Sequence, residues 1–139
     1  LFWMKKVTLA SAVAAPAVPV GAYTLEVLDL MSADAAFGAD FRERVEANIV
    51  SQEDNVLQVV TKVQLGEADA GIVYVSDVTQ DVLDDVVFIE IPEAFNVIAE
   101  YPVARVEGGN IDLARAFIDF LLSADGQSLL EEFGFTPLR

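Results

Sequence analysis

The residues able to do chemistry are few and of narrow kinds. The 139-residue chain contains no histidine and no cysteine. That removes the commonest general base and transition-metal ligand, and with them thiolate sites and disulfides. No G-x-S-x-G elbow is present to carry a serine nucleophile. Carboxylates are abundant, but no recognised spacing places them for acid–base work. Glu67 and Asp69 flank a turn without further ligands at suitable spacing, so they read as a solvated turn and not a cation site. An enzyme is not expected. What remains is a set of neutral donors: the phenol of Tyr74 at the end of an apolar run, and the backbone N–H groups at helix starts.

The charge balance narrows the partners. With 8 Lys and Arg against 23 Asp and Glu, the chain carries −15. Nucleic acid is excluded as a partner, because phosphates need basic residues to neutralise them. Anionic membrane surfaces are disfavoured for the same reason. Hydrophobic residues make up 54 % and mean hydropathy is +0.44, which excludes a disordered chain. Such an apolar surplus fits a sheet buried on both faces, or a surface that another lobe or chain covers. No run of about 18 apolar residues lacks charges and prolines, so no membrane-spanning helix is expected.

The elements that must position these donors follow from pattern. Met4-Lys5-Lys6 and the apolar residues after it resemble a secretory leader, but Pro16 and Pro19 interrupt the run. A strand over Lys6–Ala10 and a loop over the prolines are expected instead. The apolar residues Tyr23, Leu25, Val27, Leu28 and Leu30 predict a helix from Ala22 to about Met31. A short helix over Asp40–Arg44, with Arg42 and Arg44 solvated, and a strand over Val45–Val50 follow. Gln52–Asn55 is rich in helix starters, with Asp54 able to cap. Val56, Val59, Val60 and Val63 then repeat at helical spacing, and Gly66 stands where a helix ends. Ala70–Val75, Val86–Ile91 and Asn96–Val106 read as strands, the last with Pro102 at an edge or bulge. Asn110 caps a helix over Ile111–Leu122, and Ser123 caps another over Ala124–Phe133. Strands alternating with helices predict one three-layer α/β/α lobe over residues 1–139, with a mainly parallel sheet of about five strands. Ligands in such folds bind where strands end and helices begin.

Several segments carry a family resemblance, in order along nearly the whole chain. Gly66–Asp77 (GEADAGIVYVSD) is similar to the strongest motif of the molybdate/tungstate-binding proteins of bacterial ABC transporters. Ala17–Tyr23 (AVPVGAY), Glu100–Asn110 (EYPVARVEGGN) and Phe133–Leu138 (FGFTPL) resemble further segments of that family. The resemblance implies one lobe of a two-lobed type II periplasmic binding protein, the second lobe only, without the serine-bearing loops of the first. It implies a tetrahedral oxyanion as ligand, molybdate or tungstate, with sulfate and phosphate as alternatives, and no cofactor. Carried over by motif, Val20 or Gly21 supplies a backbone N–H, Val56 supplies another, and Tyr74 supplies its hydroxyl. Val20 stands where the family often has a small residue, and Leu57 where it often has a basic or polar one.

Helix starts suit such a ligand, because their first N–H groups are unpaired and carry partial positive charge. A periplasmic or extracytoplasmic location follows from the resemblance, as does contact with the membrane subunits of the transporter. The alternative is a self-associating module, a homodimer or strand-exchanged pair, because a lone lobe leaves an apolar cleft face and a sheet edge bare.

Overall fold

The structure is a computed structural model and describes residues 9–138. It forms two compact units, Leu1–Ile98 and Ala99–Arg139. The first unit is α/β. Its order is β1 (Ser11–Ala14), α1 (Pro19–Ala33), α2 (Phe41–Glu46), β2 (Ile49–Glu53), α3 (Val56–Gln64) and β3 (Ala70–Gly71). A 3-10 turn at Val75–Asp77 and a short helix α4 (Gln80–Leu83) follow. The second unit holds α5 (Ile111–Leu121) and α6 (Ala124–Glu132).

The sheet is parallel, as expected, but among the described residues it has three strands, in the order β2-β1-β3, instead of about five. β1 therefore sits in the centre. Its residues 12–14 pair with 51–53 of β2, while Ser11 and Ala12 pair with Ala70 and Gly71 of β3. Parallel connections are right-handed. β1 to β2 and β2 to β3 run in opposite directions across the sheet, so α1 and α3 cover opposite faces. The alternation along β1 agrees. Ala12 and Ala14 join Val59 of α3 and Ala68 in the buried core, and Val13 faces the side of α1 and α2.

Several boundaries differ from the sequence expectation. Among the described residues the first strand is Ser11–Ala14; of the strand expected over Lys6–Ala10, residues 9 and 10 are not strand and residues 6–8 lie outside the described residues. α1 begins at Pro19 and not at Ala22, because proline at the first helical position loses no hydrogen bond. β2 is shifted to Ile49–Glu53, since α2 continues through Glu46. Val86–Ile91 and 96–106 contain no strand, and only Ala70–Gly71 of the expected third run pairs. The helices fare better. α3 starts and ends as the valine spacing requires, and Gly66 closes it at φ +71°.

In the second unit, the Asn110 and Ser123 side chains accept the Leu113 and Gly126 N–H groups at 3.0 and 3.2 Å, capping α5 and α6. Gln127 of α6 donates to the Leu121 carbonyl and accepts from the Leu138 N–H, both at 2.6 Å. Tyr101 and Phe135 pack edge to face at 5.5 Å. No residue of α5 is buried within the chain.

Candidate functional site

The site is built from the carboxyl ends of the three strands. β1 and β2 are neighbours, and the helices that follow them go to opposite faces of the sheet. The β1-to-α1 turn and the β2-to-α3 turn therefore stand at adjacent strand ends, where ligands of such folds bind.

At the first turn, Val18 precedes the helix and Pro19 opens it. The Val18 carbonyl accepts both the Gly21 N–H at 2.9 Å and the Ala22 N–H at 3.1 Å. Pro19 has no N–H. The Val20 N–H, at the first turn of the helix, thus has no acceptor among the described residues. The two alternatives from sequence, Val20 and Gly21, separate here: the Gly21 N–H is already engaged. Gly21 has a different role. A Cβ built on it would lie 2.1 Å from the Ala15 carbonyl oxygen and 2.5 Å from that of Ala14. Only glycine lets α1 approach the end of β1 this closely. The Val20 side chain is 3 % exposed and packs with Ala12, Ala14 and Val59, so its bulk belongs to the core.

At the second turn, Asn55 caps α3, and not Asp54. The Asn55 Oδ1 accepts the Gln58 N–H at 3.0 Å, and the Gln58 side-chain oxygen accepts the Asp54 N–H at 3.2 Å. This reciprocal cap occupies the third donor of the helix. The Val56 and Leu57 N–H groups have no acceptor among the described residues. Val56 itself is partly buried against the core cluster.

Tyr74 follows β3 and is also partly buried against that cluster. Its ring meets Tyr23 of α1 edge to face, with centroids 6.4 Å apart. Tyr74 donates its backbone N–H to Asp77 Oδ2 at 3.3 Å. Asp77 is half-buried, and burial raises its carboxyl above the usual value against that hydrogen bond. Val20, Val56 and Tyr74 therefore converge on one small apolar cluster. Sequence reasoning treated Tyr23 as a helix-packing residue only. Its position three residues after Val20, at the same helix start, was the available signal.

On the side of α1 and α2 there is a cavity of about 370 Å³. Its lining includes Val13, Ile49, Gly21, Thr24, Arg42 and Gln52. Arg42 is not simply solvated, as its place on a short helix suggested. It pairs with Asp29 of α1 at 2.6 Å and with Glu46 at 2.9 Å, tying α2 to α1. Glu67 and Asp69 are also in use. Glu67 pairs with Lys62 at 3.0 Å, and Asp69 accepts the Ala10 N–H at 2.8 Å. Among the described residues no group of acidic side chains could hold a metal ion, and no helix is long and apolar enough to cross a membrane.

The profile of the bacterial extracellular solute-binding proteins matches residues 3–136. The chain belongs to this family. Two relatives within reach of the solute-binding proteins are the molybdate-binding proteins ModA of Mycobacterium tuberculosis and Escherichia coli. They are 34 % and 33 % identical over 86 % of the chain. The chain spans 41 % and 42 % of their lengths. Among solved structures, the substrate binding domain of a putative molybdenum ABC transporter from Clostridium difficile superposes with a TM-score of 0.71 at 31 % identity. That match covers all of this chain and 59 % of the other.

Proposed function

We propose that this chain is one wall of an oxyanion-binding site of the molybdate or tungstate type, serving an ABC importer outside the cytoplasm. The observation that carries the reading is the pair of helix starts at the adjacent ends of β1 and β2, each with an N–H that lacks an acceptor among the described residues. The Val20 and Val56 N–H groups and the Tyr74 hydroxyl supply the donors. The names of the relatives support molybdate as the ligand class. These donors are neutral, and they hand no proton to the ligand. They therefore favour a fully deprotonated tetrahedral dianion, and size then separates molybdate and tungstate from sulfate and phosphate. The second wall lies outside the chain, which makes the site here a half-site.

Calorimetry with molybdate, tungstate, sulfate and phosphate tests the reading. The decisive variant is Val56→Pro. Asn55 has φ −156° and ψ 163°, which a following proline accepts, and proline suits the first helical position. The variant deletes one donor and keeps the helix. Molybdate binding should fall about ten- to a hundredfold, the worth of a hydrogen bond to a charged group. Unchanged affinity, or no response to any oxyanion at millimolar concentration, defeats the proposal.

A second reading is self-association of the lobe. Its support is the exposed apolar row of the second unit, with Leu113 at 67 %, Phe117 at 57 % and Phe120 at 47 % exposed. Light scattering should then give twice the 15.0 kDa chain mass. A monomer at high concentration excludes this reading.

A further inference from the structure

Residues 86–91, Val-Val-Phe-Ile-Glu-Ile, are strand-forming by composition and contain no strand. Among the described residues, the N–H groups of 87–91 make no backbone hydrogen bond, and that of Val86 reaches only the Val82 carbonyl at 3.2 Å. Val87 is 87 % exposed and Ile89 is 81 % exposed, the two highest values among the large apolar side chains of the described residues. In a strand, Val87, Ile89 and Ile91 would share one face and Val86, Phe88 and Glu90 the other. A run of this kind with unpaired backbone is a template for strand addition.

The flanking charges choose the occupant. Asp84 and Asp85 precede the run, Glu90 lies within it and Glu93 follows it. No lysine or arginine occurs in the sequence between Lys62 and Arg105. A second copy pairing antiparallel about the middle of the run sets Asp84 or Asp85 opposite Glu93 of the other copy, and a parallel pairing stacks each acid on itself. Like charges directly opposite destabilise a strand pair, and opposite charges support it. We infer that residues 86–91 form a strand-addition site for an extended apolar segment flanked by basic residues.

The test uses two fluorescein-labelled synthetic nonapeptides with the core Val-Thr-Val-Thr-Val, one flanked by arginine pairs and one by glutamate pairs. Binding is read by anisotropy at low salt, and the site by hydrogen exchange. The arginine-flanked peptide should bind at least about tenfold tighter and slow exchange of amides 87–91. Ile89→Pro should abolish that protection with an unchanged far-UV spectrum, because the residue is exposed. Should that variant perturb the fold, the double variant Asp84→Lys with Asp85→Lys decides instead, by weakening or reversing the preference between the peptides. Equal binding of the two peptides, or protection confined to other residues, overturns the site. Protection of 86–91 in the chain alone, with doubled mass, overturns the occupant in favour of a second copy.

Discussion

Tyr74 and the two valines contribute to the proposed site in unlike ways. For Val20 and Val56 the proposed donor is the backbone N–H alone, and their side chains serve the core. Tyr74 contributes a side chain, so it is the position where a conservative change isolates one bond. Tyr74→Phe should keep the edge contact with Tyr23 and weaken molybdate binding about tenfold or more by calorimetry. Gly21 acts through space alone. Gly21→Ala forces a methyl against two carbonyl oxygens, and chemical denaturation should show a loss of about 1–3 kcal/mol or a failure to fold. Asp77 gives a pH signature. Its folded carboxyl titrates above its unfolded value, so the folded state favours the protonated form. The contribution to stability is then greatest below the unfolded value of 3.8 and is lost as pH rises through the folded one. Asp77→Asn should raise the melting temperature at neutral pH, with the gain shrinking towards acid. An equal difference at all pH values contradicts this.

Among the elements, α3 was the most legible. Four valines at helical spacing, a starter cluster and a closing glycine all agree there, and each signal is local. Asn55→Ala should cost about 1 kcal/mol, read from denaturant midpoints, because it removes the acceptor of the Gln58 N–H. The strands were less legible, for a physical reason. A strand is stabilised by partners distant in sequence, so an apolar run shows readiness to pair and not whether a partner exists in the chain. Val86–Ile91 has the composition and lacks the partner. α1 starts earlier than the apolar spacing indicates because proline breaks a helix interior but not its first turn, which is where Pro19 stands. The site was legible only through motif. Nothing in the spacing of Val20, Val56 and Tyr74 brings them together. The strand order does that, by placing β1 between two strands made later.

The whole molecule carries −15 and is proposed to bind an anion. Direct hydrogen bonds act at contact, whereas the repulsion acts over distance and is screened beyond roughly 8–10 Å at ordinary salt. Added salt should therefore speed association with molybdate and leave dissociation nearly unchanged in stopped-flow measurements. A rate that falls with salt places attractive cations at the site. The exposed row on α5 belongs to the same scale. Phe117→Lys should change the scattering mass if the second reading holds and leave oxyanion binding by the first unit intact.

The central place of β1 also governs the order of assembly. β1 is the first of the three strands to be made, yet both its neighbours come later, at residues 49–53 and 70–71. The contact between Ala10 and Asp69 spans 59 positions. On a ribosome, β1 would gain its first neighbour once Glu53 had emerged and its second only once Gly71 had. Such long-range closure slows folding. Arrested nascent chains ending before Asp69 outside the exit tunnel should remain protease-sensitive, and those extending past Tyr74 should not.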